Sequence, residues 1–243
     1  MREFGLIGYP LSHSFSQQYF TDKFEKEGLK DCRYQAYPVR TIAEFPALLK
    51  SHPLLEGINV TIPYKEQVLR YLHGQSPVVQ EVGACNCIRI REGKLTGFNT
   101  DVTGFEQSLL KHLQPHHKKA LILGTGGAGK AVEYVLKNRN IRYRYVSRMP
   151  SVNHLSYLQV TRAVLAEYTL IINTTPLGMY PNVTQAPPIP YEALTPKHYL
   201  FDLVYNPATT LFLQQGQQQG AAIQNGFDML VVQADESWKI WNS

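Results

Sequence analysis

Ala120-Leu121-Ile122-Leu123-Gly124-Thr125-Gly126-Gly127-Ala128-Gly129-Lys130-Ala131 is the stretch that decides the fold. Four apolar residues, a strand-sized run, lead into a glycine turn, and a run of helical period over 128–138 follows at once. In that setting each glycine of G-x-G-x-x-G has a physical reading. Gly124 permits the tight turn, Gly126 lets a backbone approach a pyrophosphate, and Gly129 lets the helix pack close to the strand. The helix N-terminus turns N–H groups and the positive end of its dipole toward phosphate. Gly129-Lys130 also begins a P-loop, but that motif next needs a hydroxyl for magnesium and position 131 is Ala131. A glycine turn with no ligand is the plain alternative. Strand, turn and helix together favour a dinucleotide.

Downstream of the turn, an NAD site places Asp or Glu about 20 residues on, where it accepts from the ribose hydroxyls. Here that place holds Ser147-Arg148-Met149, and no acidic residue occurs between Tyr134 and Ala166. A guanidinium pairs with a 2′-phosphate or stacks on adenine, and Ser147 can donate to the same phosphate. The pattern predicts NADP rather than NAD, against the alternative of a merely exposed arginine. Strands are expected at 142–146, 170–173, 199–204 and 221–224, with helices at 209–219 and 227–241. The second half therefore reads as a Rossmann-type unit.

Upstream, the polar stretch Gln114-Pro115-His116-His117-Lys118-Lys119 resets the pattern. Before it, strands are expected at 4–8, 33–39, 57–61, 87–91 and 94–98, the last two joined by the hairpin signal Glu92-Gly93. Helices are expected at 14–27, 41–50, 64–72 and 101–113. This alternation is α/β, and two such units flanking a cleft are the expected architecture.

The chain has 243 residues, enough to bury a large core. With 44% hydrophobic and 18% charged residues, disorder and fibrous classes are excluded. No apolar run approaches the roughly 18 residues that a bilayer crossing needs. The start, M-R-E-F-G-L-I-G, lacks a signal-like apolar segment, so a soluble cytoplasmic protein is expected. Cys32, Cys85 and Cys87 form an odd set without zinc spacing and are expected as free thiols. A net charge of +5 raises nucleic acid as a partner. The basic residues are scattered except around Lys137–Arg148, where a small anion or a solvated face explains them as well. No aromatic-rich recognition motif accompanies them. His112, His116 and His117 raise a metal, but Pro115 breaks any shared face, and none is expected.

Three polar clusters of the first half sit where strands end. Ser12-His13-Ser14-Phe15-Ser16 offers two hydroxyls and a helix start to a carboxylate, although a serine before a helix is commonly just a cap. In Asn59-Val60-Thr61-Ile62-Pro63-Tyr64-Lys65, alternation puts Asn59 and Thr61 on one side of the strand end. Pro63 is expected to start a helix with Lys65 in its first turn, an unfavourable place for a cation that would lower its pKa. A surface lysine is the ordinary alternative. In Gly97-Phe98-Asn99-Thr100-Asp101 the aspartate reads as an N-cap or a functional acid, and Asn86 stands just before the preceding strand.

Taken in order, S-x-S after the first strand, N-V-T-I-P-Y-K, G-A-C-N-C, G-F-N-T-D-x-x-G, G-T-G-G-A-G, N-T-T-P-L-G-M and F-D-L-V-Y-N-P resemble the shikimate dehydrogenase family. Seven motifs in one order, from Gly8 to Gln233, make a specific resemblance. It implies NADP-dependent, reversible reduction of 3-dehydroshikimate to shikimate on the route to aromatic amino acids. It implies a substrate domain of residues 1–100 plus 226–243 and an NADP domain of 101–225. Ser14 and Ser16 would bind the substrate carboxylate, and Thr61, Asn86 and Gln233 the ring hydroxyls, with Tyr205 nearby. Lys65 and Asp101 would be the catalytic pair, with Asp101 also touching substrate. Gly124, Thr125, Gly126, Gly127 and Ala128 would hold the pyrophosphate. Ser147, Arg148 and Met149 would meet the 2′-phosphate side, and Leu203 and Gly226 the nicotinamide side.

The chain departs from the family pattern at Met149, where a threonine is common, and at Cys87, again in place of threonine. The first departure bears on the phosphate clamp, while Cys87 lies outside the expected contacts. Rival readings are a quinate/shikimate dehydrogenase of mixed specificity and a silent NADP-binding regulator. The paired serines and the missing acid favour shikimate with NADP. A regulator needs neither Lys65 nor Asp101. The expected partner is a small molecule, not nucleic acid or membrane, with the chain a monomer or homodimer.

Overall fold

Side chains alternate across a strand, so Phe4 and Leu6 of β1 (Arg2–Gly8) enter one apolar cluster and Ile7 the other. A strand buried on both faces needs cover on both, and the sequence supplies it. The computed structural model describes residues 1–11, 15–149, 152 and 154–243, so Ser14 lies outside the described residues. After β1 come α1 (Phe15–Lys26), β2 (Cys32–Pro38), α2 (Phe45–Ser51), β3 (Leu55–Val60), β4 (Gly74–Gln75), α3 (Pro77–Val82), β5 (Cys87–Arg91) and β6 (Lys94–Phe98). They form a mixed sheet in the order β2-β1-β3-β5-β6-β4. β2, β1 and β3 run parallel, whereas β5 is antiparallel to both β3 and β6. Glu92 and Gly93 take φ of 50° and 73°, the left-handed pair that a tight hairpin turn requires.

Next follow α4 (Thr100–Leu109), β7 (Lys119–Leu123), α5 (Gly127–Asn138), β8 (Arg142–Val146), β9 (His154–Leu155), α6 (Arg162–Glu167), β10 (Leu170–Asn173), β11 (Tyr199–Asp202), α7 (Leu211–Gln218), β12 (Ala222–Gln224) and α8 (Phe227–Trp241). The second sheet is parallel throughout, ordered β12-β11-β10-β7-β8-β9. That is the doubly wound order of dinucleotide-binding domains, with the switch point between β7 and β10. β7, β10 and β11 are buried nearly throughout, as strands covered on both faces must be. By their internal contacts the described residues divide into two units, Met1–Thr100 with Gln233–Ser243, and Asp101–Val232.

Trp241 anchors the first unit. It is fully buried, stacks on Phe4 at 5.0 Å between ring centres, and donates its indole N–H to Ile88 O at 3.0 Å. A Cβ on Gly57 would stand 2.5 Å from its ring, so the tryptophan fits only because position 57 has no side chain. Trp241→Ala is expected to cost about 3–5 kcal/mol of unfolding free energy. Urea denaturation checks this, and a loss below about 1 kcal/mol contradicts the anchoring role.

The structure differs from the sequence reading at 64–72. Instead of an α-helix, residues 61–66 form turns and only Gln67–Tyr71 coils, as a 3₁₀ helix. The apolar residues there match helical spacing, yet only Tyr64 and Val68 are fully buried, and a single short turn satisfies them. Lys65 precedes that coil, so the argument from a helix dipole has no helix to rest on.

Candidate active site

The glycine turn divides its labour in the second unit. Gly124 has φ +105°, and a Cβ there would lie 2.9 Å from Thr174 Oγ1 and from Thr175 Cγ2. Gly129 is buried, its Cβ position 3.1 Å from Gly124 O and 3.3 Å from the Tyr145 ring. By contrast, a Cβ on Gly126 would meet none of the described residues within 4 Å. Gly126 and Thr125 are exposed, and Gly126 caps α5 with no side-chain bond. The turn thus needs a glycine conformation at its first glycine, is packed at its third and open at its second. An open backbone at a helix N-terminus is the form that a pyrophosphate fits.

A strut lies beneath the turn. Tyr145, from β8, turns its hydroxyl to Gly129 O (3.1 Å) and donates to Glu133 Oε2 of α5 (2.8 Å). Glu133 also accepts from Tyr143 and pairs with Lys137 at 2.8 Å. Burial pushes the Glu133 carboxyl up, but the Lys137, Tyr143 and Tyr145 hydrogen bonds outweigh it and hold the carboxyl below its ordinary value. Past the end of β8, Ser147 Oγ accepts from Met149 N–H at 3.2 Å. Arg148 and Met149 are exposed, and Arg148 makes no ion pair among the described residues. Leu203 and Gly226 face each other so closely that a Cβ on Gly226 would fall on Leu203 O. Tyr205 is half-buried in the same loop, and burial pushes its phenol up.

In the first unit a buried polar chain joins several of the expected substrate residues. Asn86 accepts from Thr100 N–H at 2.7 Å and donates to Thr100 Oγ1 at 3.0 Å. The Thr100 hydroxyl reaches Gln233 Oε1 at 3.5 Å and Ser237 Oγ at 3.3 Å. Ser237 Oγ accepts from Asn59 Nδ2 at 3.0 Å, and Asn59 Oδ1 from the Tyr34 hydroxyl at 2.9 Å. Tyr34 in turn hydrogen-bonds with Ser16, the second residue of α1. Ser16, Asn86 and Gln233 are thereby linked through groups that are themselves satisfied, which fixes their positions. Thr61 and Lys65 share one turn. Thr61 N–H donates to Ile7 O (2.9 Å), Tyr64 N–H to Thr61 O (2.9 Å), and Cys85 N–H to Lys65 O (2.8 Å). Asp101 is buried in the first turn of α4, two residues too late to be its cap.

Residues 6–88 match the family model described as the shikimate dehydrogenase substrate binding domain. Over 253 residues the chain is 37% identical to the shikimate dehydrogenase (NADP(+)) of Oleidesulfovibrio alaskensis, covering 98% of this chain and 88% of that one. The Staphylococcus aureus (strain Newman) enzyme of the same name is 36% identical, covering 99% and 92%. Shikimate 5-dehydrogenase from Thermus thermophilus, solved in complex with NADP(H) and shikimate, superposes with a TM-score of 0.88 at 31% identity, covering 99% and 93%. The chain belongs to the shikimate dehydrogenase family.

Within that family fold, the structure reveals organisers that the sequence reading passes over. Thr100 and Ser237 are the hubs of the buried chain, and Asn59 serves this chain from inside the core. The only sequence signal for Thr100 is its place in the G-F-N-T-D motif. Cys87 is fully buried beside Ser237 and Trp241, where burial pushes its thiol up. His116 and His117 both turn Nε2 to Lys197 O, at 2.9 and 3.2 Å. Burial pushes His117 down to about 4.

Proposed function

We propose that this chain catalyses the NADP-dependent, reversible reduction of 3-dehydroshikimate to shikimate in aromatic amino acid biosynthesis. The kinship over nearly the whole chain to enzymes of that name carries the reading. The open glycine turn and the linked polar residues of the first unit support it.

In this reading Ser14 and Ser16 take the substrate carboxylate, while Thr61, Asn86 and Gln233 take ring hydroxyls with Tyr205 nearby. Gly124, Thr125, Gly126, Gly127 and Ala128 hold the cofactor pyrophosphate. Ser147, Arg148 and Met149 receive its 2′-phosphate side, and Leu203 and Gly226 line its nicotinamide side. The bound NADPH supplies a hydride to the ketone carbon. Negative charge then grows on the ketone oxygen, where the Lys65 ammonium stabilises it and delivers the proton that completes the alcohol. Asp101 orients that ammonium through a charge-assisted hydrogen bond. In the oxidative direction Lys65 takes the same proton back. Residues 1–100 with the C-terminal segment serve the substrate, and the residues between serve the cofactor. None of the three cysteines is in a disulfide, which supports a reducing, cytoplasmic setting. No helix of the described residues is long and apolar enough to cross a membrane.

Steady-state rates with shikimate or quinate, each with NADP or NAD, test the reading. Shikimate with NADP is expected to be fastest, and absence of turnover with shikimate would refute it. Gly126→Ala separates binding from folding, because its Cβ meets none of the described residues within 4 Å. It is expected to leave the thermal midpoint unchanged and to raise the NADP KM about tenfold or more by intruding on the pyrophosphate. An unchanged KM would move the pyrophosphate elsewhere.

A further inference from the structure

Asp202, the last residue of β11, is fully buried and belongs to none of the roles assigned above. Its Oδ1 accepts from Asn173 Nδ2 (2.9 Å) and from Val204 N–H (3.0 Å). Its Oδ2 accepts from Thr210 Oγ1 (2.5 Å), the N-cap of α7. One carboxylate therefore ties the ends of two neighbouring strands to a helix start. Each tie continues toward a cofactor segment. Asn173 Oδ1 accepts from Thr175 N–H and Oγ1–H, at 3.0 and 2.6 Å. Thr175 and Thr174 stand over Gly124, and Thr174 Oγ1 donates to Leu123 O at 2.8 Å. On the other side, Leu203 N–H donates to Asn173 O (3.0 Å) and Gly226 N–H to Val204 O (3.2 Å).

We infer that Asp202 is a positioning residue for the cofactor, holding the Leu203–Gly226 pair in register with the glycine turn. The inference rests on the NADP reading proposed above. Three observations favour it over a purely structural role. The contacts of Asp202 run to the C-terminal end of β10 and to the loop after β11, and β10 borders the switch point of the parallel sheet, where such folds bind ligands. The group is also poorly suited to stabilising the fold. Burial pushes its carboxyl up to about 6, against the lowering effect of the Thr210, Val204 and Asn173 hydrogen bonds. The groups facing it are those three and, farther off, the Tyr191 phenol, itself pushed up chiefly by burial. A folded-state value above the unfolded one means that stability is greatest at low pH and falls as pH rises through the folded value. At neutral pH the ionised side chain thus works against stability, so fold stability alone does not account for a carboxylate at this position.

Full-length Asp202→Ala and Asp202→Asn test this, read by NADP and shikimate dissociation constants of the binary complexes and by thermal midpoints. In Asp202→Ala the NADP constant is expected to rise about tenfold or more, with that for shikimate within about threefold. The asparagine keeps an acceptor for Asn173 and Val204, and its amide can donate to Thr210. It is expected to restore NADP binding to within about threefold while melting no lower than wild type at pH 8. Wild-type NADP binding by Asp202→Ala, parallel weakening of both ligands, or a lower midpoint for Asp202→Asn would each overturn the inference. If Asp202→Ala does not fold, Thr210→Val removes the donor to Oδ2, and unchanged NADP binding in it overturns the inference equally. Failure of the wild-type chain to bind NADP would instead refute the cofactor reading and this inference with it.

Discussion

Replacing Lys65 with alanine is expected to lower kcat by about two to four orders of magnitude, the usual worth of a positioned general acid. The KM for shikimate is expected to change little, because the lost interaction strengthens only as charge develops on the reacting oxygen. The local structure isolates this effect from folding. Lys65 sits in a turn held by backbone bonds, with its own carbonyl accepting from Cys85 N–H at 2.8 Å. Tyr64 fixes the same turn by donating its hydroxyl to Val39 O at 2.7 Å. None of these bonds uses the lysine side chain, so the variant keeps the turn. Turnover near the wild-type rate in Lys65→Ala would remove the proposed proton donor.

Arg148→Ala is expected to raise the NADP KM about tenfold to a hundredfold, the range for losing a hydrogen bond between charged groups. The NAD KM is expected to stay within about twofold, because NAD carries no 2′-phosphate for the guanidinium to meet. Arg148 is exposed, next to the edge of the second sheet, and Met149 beside it is 85% exposed. Met149 brings no hydroxyl, and Ser147 Oγ already accepts from the Met149 N–H, which leaves its proton for an incoming acceptor. That leaves Arg148 as the proposed charge contact of this segment. Equal changes for both cofactors would refute the assignment. Initial rates at saturating shikimate decide the matter.

Much of the fold was legible because it is written in residues with few alternatives. Gly124 stands where a side chain would be strained and Gly129 where it would crowd its neighbours, so the turn and its flanking β7 and α5 followed from few positions. Glu92-Gly93 announced its hairpin for the same reason. Short elements escaped. β9 has two residues and α6 has six, too few for a period to rise above composition. The misread helix at 64–72 shows the opposite failure, in which apolar spacing of helical type closes as one 3₁₀ turn. The site was legible as motifs but not as a network. Thr100, Ser237 and Asp202 look like ordinary polar residues in sequence. Their importance comes from complete burial with satisfied partners, which depends on contacts up to 178 positions apart, as between Asn59 and Ser237. Sequence spacing carries no trace of such a distance.

In the proposed reaction one hydrogen moves as hydride between a shikimate ring carbon and the nicotinamide of NADP. The direct measurement uses shikimate deuterated at the carbinol carbon that becomes the ketone, with NADP and the full-length chain, and reads the mass of the reduced cofactor. One deuterium is expected in each NADPH formed. Reduced cofactor without deuterium, or no reduced cofactor at all, would contradict it.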